Sequence, residues 1–261
     1  RYIFDKLMLS IEIISALEDN YCYIIYEKNS NLVGVIDPSE FEKIDKLILK
    51  KYKKLDFILN THHHFDHVGG NIKLKEKYSS KIVGSEIDRD RIPGIDFCVK
   101  ENDSFKFGEV SFKVIFIPGH TKGHIAFYSE AEKIVFTGDT LFSMGCGRIF
   151  EGSFSEMFNS LNKLKKLPKD TQIYCGHEYT KSNFKFCKTY EPENKFLLKK
   201  KELINDKLNK GLPTIPVTLE EELKTNIFLR CDSLGLKDKL KMNSSSEEEV
   251  FKKLRILKDK F

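Results

Sequence analysis

The order of apolar segments predicts a layered α/β fold that gives way to an all-helical tail. Short β-branched and aromatic runs alternate with helical patterns through the first half of the chain. Later apolar runs end in loops bearing histidine or aspartate, and from about Ser182 the strand pattern stops.

Residues 7–14, 21–26 and 31–36 read as three antiparallel strands separated by Asp19-Asn20 and Asn29-Ser30. Asp37-Pro38-Ser39 ends the third strand, and Phe41, Ile44, Leu47 and Ile48 recur at helical spacing up to about Tyr52. The apolar run 55–60 is a strand that leads into a histidine cluster; a helix from about His67 to Tyr78 and a strand at 81–84 follow. Residues 105–107 and 110–117 form a hairpin around Gly108, with Val110, Phe112, Val114 and Phe116 on one face. A second hairpin spans 125–128 and 133–136, and an amphipathic helix at 154–167 is stopped by Pro168. The strand 171–175 ends in Gly176-His177. In the tail a helix at 193–210 ends at Gly211, and capping boxes at Thr218/Glu221 and Ser246/Glu249 start two more. Val250, Phe251, Leu254 and Leu257 give the last helix an apolar stripe. Two unequal parts are expected, 1–181 catalytic and 182–261 helical and substrate-binding.

At 261 residues the chain can bury a substantial core. Charged residues make up 32% but are mixed in sign, and the net charge of +5 forms no basic stripe with interleaved aromatics. Nucleic-acid binding is therefore not expected, whereas a small anionic substrate suits the mild basic bias. The six cysteines show no C-x-x-C pair and read as thiols in a reducing compartment. No apolar run reaches membrane-spanning length and no secretory leader is visible, so an intracellular soluble protein, monomeric or weakly oligomeric, is expected. Arg1 precedes the first methionine, Met8, which fits a leader removed from a longer precursor. The cytoplasm and an organelle, mitochondrion or plastid, both remain open.

His62, His63, His64, Asp66 and His67 fall within six residues, a ligand set for zinc, iron or manganese. The alternation His62, His64, Asp66 suits extended backbone, and His67 breaks it, so two side-chain directions diverge toward two adjacent ions. An expression tag is the bland alternative, but the apolar strand before the cluster and Gly69-Gly70 after it argue against one. The other histidines, His120, His124 and His177, also sit near strand ends, as does Asp139, and none of the seven lies in the helical tail. That is what a site assembled from several loops requires.

The residues that carry a family likeness are 61–71 (THHHFDHVGGN), 118–124 (PGHTKGH), 136–142 (FTGDTLF), Gly145-Cys146-Gly147-Arg148 with Glu151-Gly152, and 174–180 (YCGHEYT). With them the chain resembles the metallo-β-lactamase superfamily, and within it the hydroxyacylglutathione hydrolases, or glyoxalase II, almost from end to end. The resemblance implies an αββα sandwich with a C-terminal all-helical domain. It implies that His62, His64 and His120 hold one divalent metal, that Asp66, His67 and His177 hold another, and that Asp139 bridges both. Zinc comes first, with iron or manganese open, because nitrogen and oxygen ligands without thiolate do not select. His63 and His124 are not ligands in the family, and His124 is expected to fix a ligand or loop by hydrogen bonding.

Such ions would lower the pKa of bound water to roughly 7, and hydroxide would then attack a thioester carbonyl, with Asp66 and Asp139 expected to orient it. No nucleophilic cysteine is needed, so Cys146 and Cys175 read as packing residues. The resemblance implies that Arg148, Phe150, Tyr179, Arg255 and Lys258 bind glutathione; Phe150 stands where some relatives have tyrosine and lacks its hydroxyl. Arg255 and Lys258 share one face of the last helix and suit a carboxylate. The reaction implied is hydrolysis of S-(2-hydroxyacyl)glutathione, S-lactoylglutathione first. A one-iron glutathione persulfide dioxygenase of the same superfamily is the alternative, and the complete second ligand set argues against it.

Overall fold

A computed structural model describes residues 8–261, which pack as two compact units: residues 8–116 with 125–136, and residues 117–124 with 137–261. Leu7, the expected first residue of the opening strand, lies outside the described residues.

In the first unit β1 (Leu9–Ala16), β2 (Asn20–Glu27) and β3 (Leu32–Ile36) pair antiparallel as expected, and α1 (Glu42–Lys51) follows. β4 (Phe57–Leu59) then adds in parallel to β3. After α2 (Phe65–Val68) and α3 (Asn71–Tyr78), β5 (Lys81–Ser85) and β6 (Phe97–Val99) extend the parallel half, giving a six-stranded sheet in sequence order. Alternation along the strands sorts the two faces. Cys22, Ile24, Val33, Val35, Ile58 and Ile82 meet Ile44 and Ile48 of α1 and Leu74 of α3 in one buried cluster. On the opposite face Tyr23 packs on Phe136 at 5.3 Å and Phe57 on Phe107 at 6.0 Å, which brings in a second, antiparallel layer. That layer contains β7 (Ser104–Phe107), β8 (Val110–Phe116), β9 (Ile125–Ser129) and β10 (Ile134–Gly138).

The single helix expected from His67 to Tyr78 is two helices. Their break lies at Gly69-Gly70, because this backbone presses on the segment after β3: a Cβ on Gly69 would stand 2.4 Å from the Ser39 carbonyl oxygen, and the Gly70 N–H donates to the Pro38 carbonyl at 2.8 Å. His67 therefore belongs to a short separate helix whose orientation Gly69 and Gly70 set.

The second unit contains the small hairpin β11 (Leu141–Phe142) and β12 (Gly145–Cys146), then α4 (Phe154–Lys165), β13 (Gln172–Cys175), α5 (Thr180–Tyr190) and α6 (Lys195–Asn209). β14 (Val217–Thr218), α7 (Leu219–Thr225), α8 (Leu234–Lys239) and α9 (Glu247–Asp259) complete it. Both tail capping boxes form, at Thr218/Glu221 and Ser246/Glu249. The tail is not wholly helical, since Val217 and Thr218 pair antiparallel with Ile173 and Gln172. Two residues are too few to show alternation in sequence. Phe228 stacks near Phe186 at 6.0 Å and meets Phe251 at 6.1 Å, an aromatic core for the helices. On α9 the buried face is Val250, Phe251, Leu254 and Arg255; Leu257 is only half-buried.

Candidate metal and substrate site

The first unit presents His62, His64, Asp66 and His67 directly after β4. His62 and His67 are fully buried, with ring centroids 4.1 Å apart, and the His62 and His64 rings lie 4.8 Å apart. Their proton positions follow from a chain of donors. Asp37 Oδ1 accepts the Thr61 N–H at 2.8 Å, and Asp37 Oδ2 accepts the Thr61 hydroxyl at 2.6 Å. Because the hydroxyl proton of Thr61 is committed to Asp37, Thr61 Oγ1 can only accept from His62 Nδ1, 3.0 Å away. His67 Nδ1 donates to the same Asp37 Oδ2 at 3.0 Å. Both imidazoles thus turn Nδ1 toward the protein, which directs Nε2 the other way, the orientation a cation would require.

Asp37, which the sequence shows only as a strand end, holds His67 directly and His62 through Thr61. Its signals are its place between an apolar strand and Pro38 and, in the structure, a left-handed φ of +49°. Asn20, read only as a turn residue, is a second case: its Nδ2 donates to Asp66 Oδ2 at 2.9 Å and to the Asp66 carbonyl at 3.0 Å, fixing that carboxylate. His63, expected not to be a ligand, has Nδ1 3.3 Å from Asp88 Oδ2.

The second unit brings His120, Asp139 and His177 together. Asp139 Oδ2 lies 3.4 Å from His120 Nε2 and 3.2 Å from His177 Nε2, so one carboxylate oxygen stands between two imidazoles. His120 Nδ1 donates to the Arg148 carbonyl at 2.7 Å, which turns Nε2 toward Asp139. His124 Nε2 accepts the Asp139 backbone N–H at 3.1 Å and so holds the strand-end turn, as expected of it. Buried imidazoles with Nδ1 occupied, beside carboxylates, are the donor chemistry of divalent metal sites, and the residues fit such ions.

Around this half-site His177 and Tyr179 stack with centroids 4.8 Å apart, and Phe142 meets Tyr179 edge-on at 5.1 Å. Phe150 is 63% exposed, with its ring 5.1 Å from that of His120. Arg148 is exposed, with Nε 3.9 Å from Asp259. Arg255, only 3% exposed, donates through Nη1 to the Cys146 carbonyl at 2.6 Å and through Nη2 to Asp259 at 2.9 Å. Lys258 donates to Ser182 Oγ at 3.1 Å; burial first, and the Arg255 charge next, hold its ammonium below the usual lysine range. Burial pushes the Cys175 thiol up to about 12 and raises Cys146 as well, so neither is a thiolate nucleophile at neutral pH.

The metallo-beta-lactamase superfamily profile matches residues 17–177, and the hydroxyacylglutathione hydrolase C-terminus profile matches residues 178–261. A hydroxyacylglutathione hydrolase from Pelagibacter ubique (strain HTCC1062) is 52% identical over 253 residues, covering 97% of this chain and 100% of its own. The chain belongs to the hydroxyacylglutathione hydrolase family. Membership carries the metallo-β-lactamase fold and implies divalent metal ions, which the histidine and aspartate clusters of each unit fit. Among solved structures, ETHE1 from Myxococcus xanthus superposes with a TM-score of 0.69 at 23% identity, covering 95% of this chain and 91% of its own. That likeness shows the fold. TTHA1623, solved in a di-iron-bound form, matches with a TM-score of 0.56 at 28% identity over 64% of this chain and 91% of its own. No helix among the described residues of this family member is long and apolar enough to cross a membrane.

Proposed function

We propose that the protein hydrolyses S-(2-hydroxyacyl)glutathione thioesters, S-lactoylglutathione first among them, to glutathione and the hydroxy acid. The observation that carries this is the Asp139 carboxylate oxygen between the Nε2 atoms of His120 and His177, in a hydroxyacylglutathione hydrolase chain. His62, His64 and His120 are assigned to one ion, Asp66, His67 and His177 to a second, and Asp139 to both. Zinc is proposed, and iron or manganese suits the same donors. Such ions, when bound, supply hydroxide at neutral pH and counter the charge that develops on the carbonyl oxygen.

The chain's own groups do the rest. Asp66, steadied by Asn20, and Asp139, steadied by His124, accept hydrogen bonds from the attacking water and aim it at the thioester carbon. Addition gives a tetrahedral species, the C–S bond then breaks, and the thiolate leaves with the electron pair. Residues 182–261 supply much of the glutathione contact: Arg255 and Lys258 provide positive charge for a carboxylate, Arg148 and Tyr179 add contacts from outside the tail, and Phe150 packs against the ligand without a hydroxyl. Six free thiols support a reducing compartment, cytoplasm or organelle. A monomer or weak oligomer is proposed, acting on a small molecule and not on nucleic acid.

Steady-state hydrolysis of S-lactoylglutathione across pH tests this reading. Lys258 has a depressed pKa, so it is charged below that pKa and loses its proton at a lower pH than a free lysine does. An anionic substrate favours the charged form. KM is therefore expected to be low on the acid side and to rise as pH climbs through the Lys258 pKa. Lys258→Met raises KM about tenfold on the acid side and flattens the rise, as loss of a charge-assisted hydrogen bond predicts. Absence of thioester hydrolysis would overturn the proposal, and a KM profile unchanged in Lys258→Met would remove that residue from the substrate set.

A further inference from the structure

The turn 142–145, between β11 and β12, is wrapped by buried polar side chains from α5 and the end of α7. Glu222 of α7, with no exposed surface, accepts the Met144 N–H at 2.7 Å and the Ser143 hydroxyl at 3.4 Å. Asn226, equally buried, points Nδ2 at the Gly145 carbonyl at 3.0 Å, the Phe142 carbonyl at 3.3 Å and Glu222 Oε2 at 3.0 Å. From α5, Asn183 Nδ2 donates to the Ser143 carbonyl at 3.1 Å and the Cys187 thiol to the Met144 carbonyl at 3.2 Å. Lys200, 9% exposed with Nζ 3.9 Å from Glu222 Oε1, is the nearby counter-charge.

This is an expensive way to hold a short turn. A surface turn satisfies its peptide groups with water, whereas here a carboxylate has been taken fully out of solvent, and that burial raises its pKa. The backbone gained is itself unusual. Met144 holds a left-handed φ of +56°, and a Cβ on Gly145 would stand 2.4 Å from Asn183 Nδ2. Both ends of the turn lead into the candidate site. Phe142 lies edge-on to Tyr179 at 5.1 Å and to His177 at 6.1 Å. On the other side, the Gly147 N–H donates to the Thr140 carbonyl at 3.1 Å, and a Cβ on Gly147 would fall 1.8 Å from the Asp139 carbonyl oxygen. Arg148 follows, and its carbonyl holds His120.

We propose that Glu222 and Asn226 are positioning residues: they lock the turn 142–145 and thereby set Phe142 against Tyr179 and the Gly147-Arg148 backbone against Asp139 and His120. The effect on substrate rests on the thioesterase reading, whereas the locking of the turn does not. Glu222→Ala leaves the Met144 N–H without this acceptor and removes one of three acceptors facing Asn226 Nδ2, while Glu222→Gln retains an acceptor oxygen.

The test pairs amide hydrogen exchange over residues 142–148 with S-lactoylglutathione kinetics for the full chain. In Glu222→Ala the Met144 amide is expected to exchange about tenfold to a hundredfold faster, as loss of a buried acceptor predicts, with KM raised about tenfold and kcat changed less. Glu222→Gln restores both. Ile48→Ala, in the cluster of the first sheet, lowers the melting temperature without moving KM or the exchange of 142–148. If Glu222→Ala does not fold, Asn183→Ala, which frees the Ser143 carbonyl, is expected to show the same pattern at about threefold amplitude. Wild-type exchange and KM in these variants, or an equal rise of KM in Ile48→Ala, would overturn the proposal. Should the wild type hydrolyse no glutathione thioester, the thioesterase reading fails, and exchange at Met144 alone still decides the positioning claim.

Discussion

Asp139→Asn is expected to lower kcat/KM for S-lactoylglutathione by about a thousandfold, the scale of losing a group that stabilises the reacting centre. The change keeps the side chain's shape and removes its charge. In the folded chain one carboxylate oxygen stands 3.4 Å and 3.2 Å from two imidazole Nε2 atoms. The His124 contact is to the Asp139 backbone and survives the substitution, so the melting temperature of the metal-free protein should change little. Measured together, a large kinetic loss, a lower metal content and a nearly unchanged metal-free melting point would place Asp139 in the chemistry. Activity within tenfold of wild type would remove it from the proposed set.

Asp37→Ala is expected to have the second largest effect, and on a residue that touches no proposed substrate. Three donors converge on this carboxylate: the Thr61 N–H, the Thr61 hydroxyl and His67 Nδ1. All are buried, and each buried donor stripped of its acceptor costs about 1–3 kcal/mol, so the melting temperature should fall clearly. With Thr61 Oγ1–H released, His62 also loses the constraint on its tautomer. Metal affinity should drop by about ten- to a hundredfold, the usual consequence of losing a carboxylate behind a ligating histidine. Competition against a chelator reads this directly. A competition curve that overlays the wild type would contradict the orienting role.

Much of the fold was legible because its strands are short, apolar and separated by turn residues. β1 to β3, α1 and both tail capping boxes follow from period and punctuation alone. The candidate ligands could be proposed from the sequence because they come in a dense motif and at strand ends. What stayed hidden was of another kind. Asp37, Asn20, Glu222 and Asn226 are single polar residues whose partners lie far away in sequence, such as Asn20 with Asp66 or Glu222 with Met144, and no local pattern marks them. The break at Gly69-Gly70 depends on the backbone of residues 38–40, a tertiary constraint, and β14 is too short to carry a period. Arg255 illustrates the limit of helical spacing. The interval to Lys258 correctly put the two on neighbouring turns of α9, but Arg255 is buried against the Cys146 carbonyl while Lys258 remains half-buried.

The most direct test of the central claim is titration of the metal-free protein with zinc while following S-lactoylglutathione hydrolysis and bound metal in the same sample. The proposed ligand assignment predicts that activity rises until two equivalents per chain are bound and then stops rising. Saturation with one iron per chain, oxygen uptake with glutathione persulfide and no thioester hydrolysis would contradict it.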